Sequence, residues 1–386
     1  MNIHDFDDIR PFLPEELPAA FDSLLADPQF CGIMMSFFKD VPFEVLKQQI
    51  YACKDSLELQ KKIFYPLIKQ LLQKCSDGAS LNCTAIRESR RADSYTFISN
   101  HRDIVLDAGL LDVLLIDNGF RTTVEIAIGD NLLIHPWIKT LVRINKSFIV
   151  KRSVSMRELL ASSKQMSEYM HFAINEKHEN IWIAQREGRA KDSDDRTQES
   201  VLKMMAMGGS GSVIDRLKAL NIVPIAISYE YDPCDFLKAK EFQQKRDNPD
   251  FKKSKQDDLT NMQTGIFGYK GRVQYCMAST VNTWIDELAG LPKGEFFTTL
   301  AHHIDRAIHT SYTIYPINYV AVDLLQGTQE FTHCYTPDDK QRFEQYLQSR
   351  LDLIDLPNKD EDFLRRSMLT MYANPAINKR KTVTKE

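Results

Sequence analysis

Apolar positions along this chain follow two rhythms. In residues 1–90 they recur at intervals of three and four, as in Leu57, Ile63, Leu67 and Leu71 with Tyr65 and Ile68 beside them. That spacing marks one face of a helix. It recurs over 12–25, 43–51 and 57–75, with breaks at Pro14, Pro42 and the Ser76-Asp77-Gly78 turn. From residue 94 short β-rich runs at 95–98, 123–128, 147–150, 180–183 and 222–227 alternate with helical periodicity, and a further strand is expected at 271–277. Such alternation predicts an α/β fold, a mixed sheet covered by helices with chemistry at the strand ends. Helical patterns return over 284–288, 296–308 and 341–354. The pattern thus divides the chain into an N-terminal helical domain, 1–90, an α/β domain, 91–330, and a C-terminal helical segment with a basic tail, 331–386.

Two stretches depart from these rhythms. The run 33–38, Ile-Met-Met-Ser-Phe-Phe, is very apolar and reads either as a buried helix segment or as a surface that touches lipid. Residues 236–263 are highly charged and nearly free of large apolar side chains, as in a solvated helix or an excursion loop.

Composition removes several classes of function. With 386 residues, Lys+Arg 49 against Asp+Glu 53 and a net charge of −4, the chain lacks the basic balance of a general nucleic-acid binder. Seven cysteines with no Cys-x-x-Cys pair and no Cys/His grouping at zinc spacing point to reduced thiols in the cytoplasm and to no metal site. The acidic N-terminus is unlike a secretory leader, and no stretch reaches the roughly 20 apolar residues of a bilayer span. The expectation is a cytoplasmic protein, soluble or peripheral on the cytoplasmic membrane face.

The candidate chemistry begins just after the first strand of the α/β region, at Asn100-His101-Arg102-Asp103, running into an apolar stretch that Asp107 interrupts. A histidine at a strand end with a carboxylate on one ring nitrogen leaves the other free to take a proton. The same two residues also suit a plain structural pair that locks strand to helix. Asp103 suits a helix N-cap, while Asp107 falls on an apolar face and needs a partner there.

This segment resembles the first block of the glycerolipid acyltransferases, Asn/Cys-His-x4-Asp. Three further stretches are similar to later blocks of that family in the same order: 126–152, ending in Phe-Ile-Val-Lys-Arg152; 182–191, Trp-Ile-Ala-Gln-Arg-Glu-Gly-Arg-Ala-Lys; and the Val-Pro strand at 222–228. Here the His–Asp interval holds five residues, with Leu106 where the family has its carboxylate, and a π-type turn at the helix start would absorb the extra one. The third block is likewise one residue short, although Arg189 and Lys191 keep the spacing of the family's basic pair.

The resemblance implies catalysis by His101 with Asp107, or with Asp103 as the alternative acid. It implies substrate binding by Arg152, Glu187, Gly188, Arg189 and Lys191, the three cations converging on one phosphate. The donor would be acyl-CoA or acyl carrier protein, with no further cofactor. The acceptor would be glycerol 3-phosphate or 1-acylglycerol 3-phosphate, with another lysolipid or an amino-lipid, or a non-catalytic lipid-binding role, as alternatives. An anionic membrane surface would meet the 33–38 run and the basic tail Lys379, Arg380, Lys381 and Lys385. The remaining features read as structural. Residues 208–212, Gly-Gly-Ser-Gly-Ser, form a turn and not a nucleophile elbow, and the tyrosines of 312–319 belong to the core or to the wall of an acyl groove.

Overall fold

The computed structural model describes residues 1–39, 41–152 and 156–383. Its seven strands are β1 (Ala79–Asn82), β2 (Thr96–Ser99), β3 (Val124–Gly129), β4 (Ser147–Val150), β5 (Asn180–Ala184), β6 (Ile222–Tyr229) and β7 (Val273–Met277). They form one sheet in the order β1-β7-β6-β2-β5-β3-β4. Every neighbouring pair is parallel except β6 with β7, so the sheet is mixed, as the alternation predicted.

Strands β2 and β6 are buried along their whole length, as expected of parallel strands with helices on both faces. Successive side chains on β5 face opposite ways. Ile181 and Ile183 join a core with Tyr169, Met170, Leu300 and Ile304, whereas Trp182 packs with Phe97, Val223 and the leucines 110, 111 and 114 of the Leu106–Asp117 helix. Each fully buried leucine stabilises this layer by roughly 1.5–3 kcal/mol.

Three parts of the chain differ from the sequence reading. Strand β1 lies inside the stretch read as helical; it is a four-residue edge strand in which only alternate residues are half-buried, too short to show a period. The charged 236–263 stretch takes the helical alternative, as two helices, Asp235–Asp247 and most of Lys255–Phe267, but they are not wholly solvated, for their inner faces bury Lys238, Glu241, Gln243 and Asn261. The basic tail is the last part of a packed helix, Glu361–Val383, in which Lys379 Nζ donates to the Tyr312 carbonyl at 2.6 Å and Arg380 pairs with Glu330 at 2.8 Å. Lys385 lies outside the described residues.

The N-terminal helices build their own core from Leu17, Phe21, Phe30, Met34, Leu46 and Ile50, closed by Ile144 of the Pro136–Ile144 helix. Within the apolar 33–38 run, Met34 belongs to this core while Ile33 is 39% exposed. Tyr312 and Tyr315 are buried in the core. Among the described residues no helix is long and apolar enough to cross a membrane.

Candidate active site

Strand β2 ends at Ser99, and the chain leaves the sheet through residues 100–105 before the Leu106–Asp117 helix begins. Asn100 takes the place of one more strand residue. Its Nδ2 donates to the Ile227 carbonyl at 2.9 Å, and the Ile227 N–H donates to its Oδ1 at 2.8 Å. The loop is thereby fastened to β6, and His101 follows directly.

His101 Nδ1 lies 2.7 Å from Asp107 Oδ2. The same oxygen accepts the backbone N–H groups of Arg102 at 2.6 Å and Asp103 at 3.1 Å. Asp107 is fully buried, while the His101 side chain keeps 14% of its surface. A carboxylate that accepts from this many donors fixes the imidazole tautomer: Nδ1 carries the proton, and Nε2 remains an acceptor. Trp182 braces the ring edge-on at a centroid distance of 5.4 Å and is itself held by its Nε1 on Ser99 Oγ at 3.0 Å.

Asp103 does not touch His101 in this arrangement. Its Oδ1 accepts the N–H groups of Val105 at 2.9 Å and Leu106 at 2.8 Å, so it ties down the start of the helix that carries Asp107 from two residues ahead of the N-cap position, which Val105 occupies. Burial, with Asp107 nearby, pushes its carboxyl above the ordinary range. The extra residue between His101 and Asp107 is taken up by the loop before the helix. Among the described residues a π turn lies elsewhere, at Gln60–Phe64.

The three cations expected at one phosphate have separate partners. Arg152 pairs with Glu187 at 3.3 Å, beside Gly188, whose φ of 67° suits a glycine. Arg189 donates from Nη2 to Asn261 Oδ1 at 3.2 Å, on the Lys255–Phe267 helix. Lys191 pairs with the buried Glu241 of the Asp235–Asp247 helix, and its burial brings its pKa down to about 8. Glu241 also holds Lys245 at 2.9 Å. The charged excursion thus fastens Arg189 and Lys191, contacts that spacing alone does not show.

Arg152 instead shares a cleft of about 290 Å³ with Arg186, Ser162, Ser163 and Gln198. Arg186, which the sequence reading did not single out, has no ion-pair partner among the described residues. The cleft reaches Ala184, the residue paired with Ser99 of β2, two positions before His101.

A second concavity begins where the His101 loop ends, at Val105. An apolar groove of about 250 Å³ follows the Leu106–Asp117 helix through Val105, Leu106, Gly109, Val113 and Ile116, with Phe30, Phe37 and Leu71 of the N-terminal helices opposite. From 105 to 116 that stripe runs about 16 Å along the helix. Asp112 lies in the groove wall, its Oδ2 accepting from Gln60 at 3.2 Å and its Oδ1 from the Val124 N–H at 2.8 Å; burial pushes its pKa up to about 7.

Residues 80–228 match the family model described as Acyltransferase. No curated protein matches the chain. Among solved structures, the fold is similar to that of the 1-acyl-sn-glycerophosphate (LPA) acyltransferase PlsC from Thermotoga maritima. The identity is 11% and the TM-score 0.40, over 77% of this chain and 96% of that one.

Proposed function

The chain carries an acyltransferase-family domain over residues 80–228, and on that premise we propose that it moves a fatty acyl group from a thioester donor, acyl-CoA or acyl carrier protein, to the hydroxyl of a phosphorylated glycerol or lysophospholipid. The observation that carries this reading is the oriented imidazole of His101, 2.7 Å from Asp107, on a loop whose last residue, Val105, enters the wall of an apolar groove, with an arginine-bearing cleft reaching Ala184 on the neighbouring strand.

The chemistry follows from the donors and acceptors. His101 Nε2 accepts the proton of the acceptor hydroxyl as that oxygen attacks the thioester carbon, and Asp107 stabilises the imidazolium that forms. The tetrahedral intermediate collapses, the C–S bond breaks, and the imidazolium returns its proton to the departing thiolate. No covalent enzyme intermediate is required. The acyl chain occupies the groove beside Val105 and Gly109. The phosphate of the acceptor meets Arg152 and Arg186, since a guanidinium offers a fork to phosphate oxygens. Donation of a lipid product to a membrane would proceed from the peripheral side, near Ile33 at the groove mouth.

Purified protein given labelled acyl-CoA or acyl carrier protein with glycerol 3-phosphate and its 1-acyl form in parallel tests this reading. Acylated phosphorylated product supports it. Free fatty acid alone, or lipid binding without turnover, rejects it in favour of a hydrolase or a binding protein.

A further inference from the structure

Asp107 is held unequally at its two oxygens. Oδ2 receives three donors from its own loop, His101 Nδ1 and the N–H groups of Arg102 and Asp103. Oδ1 receives one, the hydroxyl of Tyr229 at 3.0 Å, from the last residue of β6. We propose that Tyr229 is a positioning residue for the base: its hydroxyl fixes the rotation of the Asp107 carboxylate, which keeps the proton on His101 Nδ1 and Nε2 free to act. The proposal rests on the acyl-transfer reading for its kinetic consequence, and on geometry alone for its structural one.

Three observations support it. Strand β6 already holds this loop once, through Ile227 on Asn100, and Tyr229 adds a second hold two residues further along. Tyr275 of β7 does not duplicate the role, because its hydroxyl donates at 2.9 Å to the Asp107 main-chain carbonyl and leaves the carboxylate free to turn. The Tyr229 ring is buried, and that burial keeps the phenol protonated and therefore a donor. Without it, Oδ1 is a buried carboxylate oxygen with no partner, a costly state that a turn of the side chain relieves at the expense of the His101 contact.

The test is Tyr229→Phe, read by histidine ¹⁵N NMR and by steady-state kinetics. In the wild type His101 is expected as a single Nδ1–H tautomer, and in the variant as a mixture of tautomers. The expected fall in kcat is about tenfold, a fraction of a full general-base contribution, with KM for donor and acceptor unchanged. In a double-mutant cycle, Tyr229→Phe is expected to cost nothing further once Asp107→Asn is present, because it acts only through that carboxylate. Should Tyr229→Phe fail to fold, the wild-type Tyr229 hydroxyl proton serves instead: it is expected as a slowly exchanging resonance that Asp107→Asn shifts or removes. A single unaltered His101 tautomer in the variant, additive losses in the cycle, or a hydroxyl signal indifferent to Asp107→Asn overturns the proposal. The tautomer readout is independent of turnover. Absent acyl transfer with an intact tautomer response rejects the functional reading alone, and acyl transfer with an unaltered tautomer rejects the positioning role alone.

Discussion

At the scale of single residues the site depends on which polar groups have partners. Asp107 was legible in the sequence because a carboxylate in the middle of an apolar run has to be paired, and the structure pairs it with His101 at 2.7 Å. Tyr229 and Arg186 were not legible in this way. Tyr229 reaches Asp107 from 122 positions away, and no local pattern encodes such a contact; Arg186 stands in the third block but between the residues whose spacing drew notice. Arg186→Ala is therefore expected to raise KM for a phosphorylated acceptor by roughly ten- to hundredfold, in line with about 1.5–3 kcal/mol for a hydrogen bond to a charged group, and to leave KM for the acyl donor unaltered. Parallel titration of the two substrates checks this. Equal losses for both would remove Arg186 from the acceptor site. Arg189→Ala is expected to act differently, loosening the hold on Asn261 rather than the acceptor.

At the scale of elements the Leu106–Asp117 helix joins the site to the groove. Its start presents Asp107, and one of its stripes lines the apolar wall. Gly109 sits in that stripe, where a glycine costs about 0.5–1 kcal/mol relative to alanine inside a helix. A Cβ there would come within 3.3 Å of Ile68 Cδ1, so the glycine keeps the groove open between the two helices. Gly109→Leu is expected to lower kcat/KM for long-chain donors much more than for short-chain ones; an unchanged chain-length preference would place the acyl chain elsewhere. The same helix is tied to β3 and to Gln60 by Asp112, whose pKa rises from 3.8 unfolded to about 7 folded. Between those values the folded state holds the extra proton, so this group's contribution to stability falls as pH rises from about 4 to about 7 and its cost is complete above that window. Asp112→Asn is expected to flatten the pH dependence of urea unfolding there by up to about 4 kcal/mol. A variant whose curve parallels the wild type would contradict this. Long, periodic elements were readable from the apolar pattern, whereas the 236–263 stretch read equally as a solvated helix or a loop, because the buried face of its helices is made of Lys238, Glu241, Gln243 and Asn261, polar residues that pair with Asp232, Lys191, the Asn358 carbonyl and Arg189.

At the scale of the whole molecule, sheet order brings together what the sequence holds apart. β2 lies between β5 and β6 and is parallel to both, so the histidine loop, the arginine-bearing turn after β5 and the tyrosine at the end of β6 all lie at the carboxyl ends of three adjacent strands, the place where parallel sheets present their ligands. The alternation of strands and helices announced such a sheet, and the four ordered blocks carry the expectation of acyl transfer. The order of the strands, and with it the identity of the neighbours of His101, is a property of long-range pairing that no local period carries. The N-terminal helices complete the picture by supplying the far wall of the groove. The central claim is that His101 is the general base of an acyl transfer, and the most direct measurement of it is single-turnover transfer of a labelled acyl group from acyl-CoA or acyl carrier protein to 1-acylglycerol 3-phosphate by the wild type and by His101→Ala, at equal folded concentration. Acylated product from the wild type and a rate lower by about 10²–10⁴ in the variant is the predicted result, and near-equal rates in the two proteins, or no acylated product from the wild type, would contradict it.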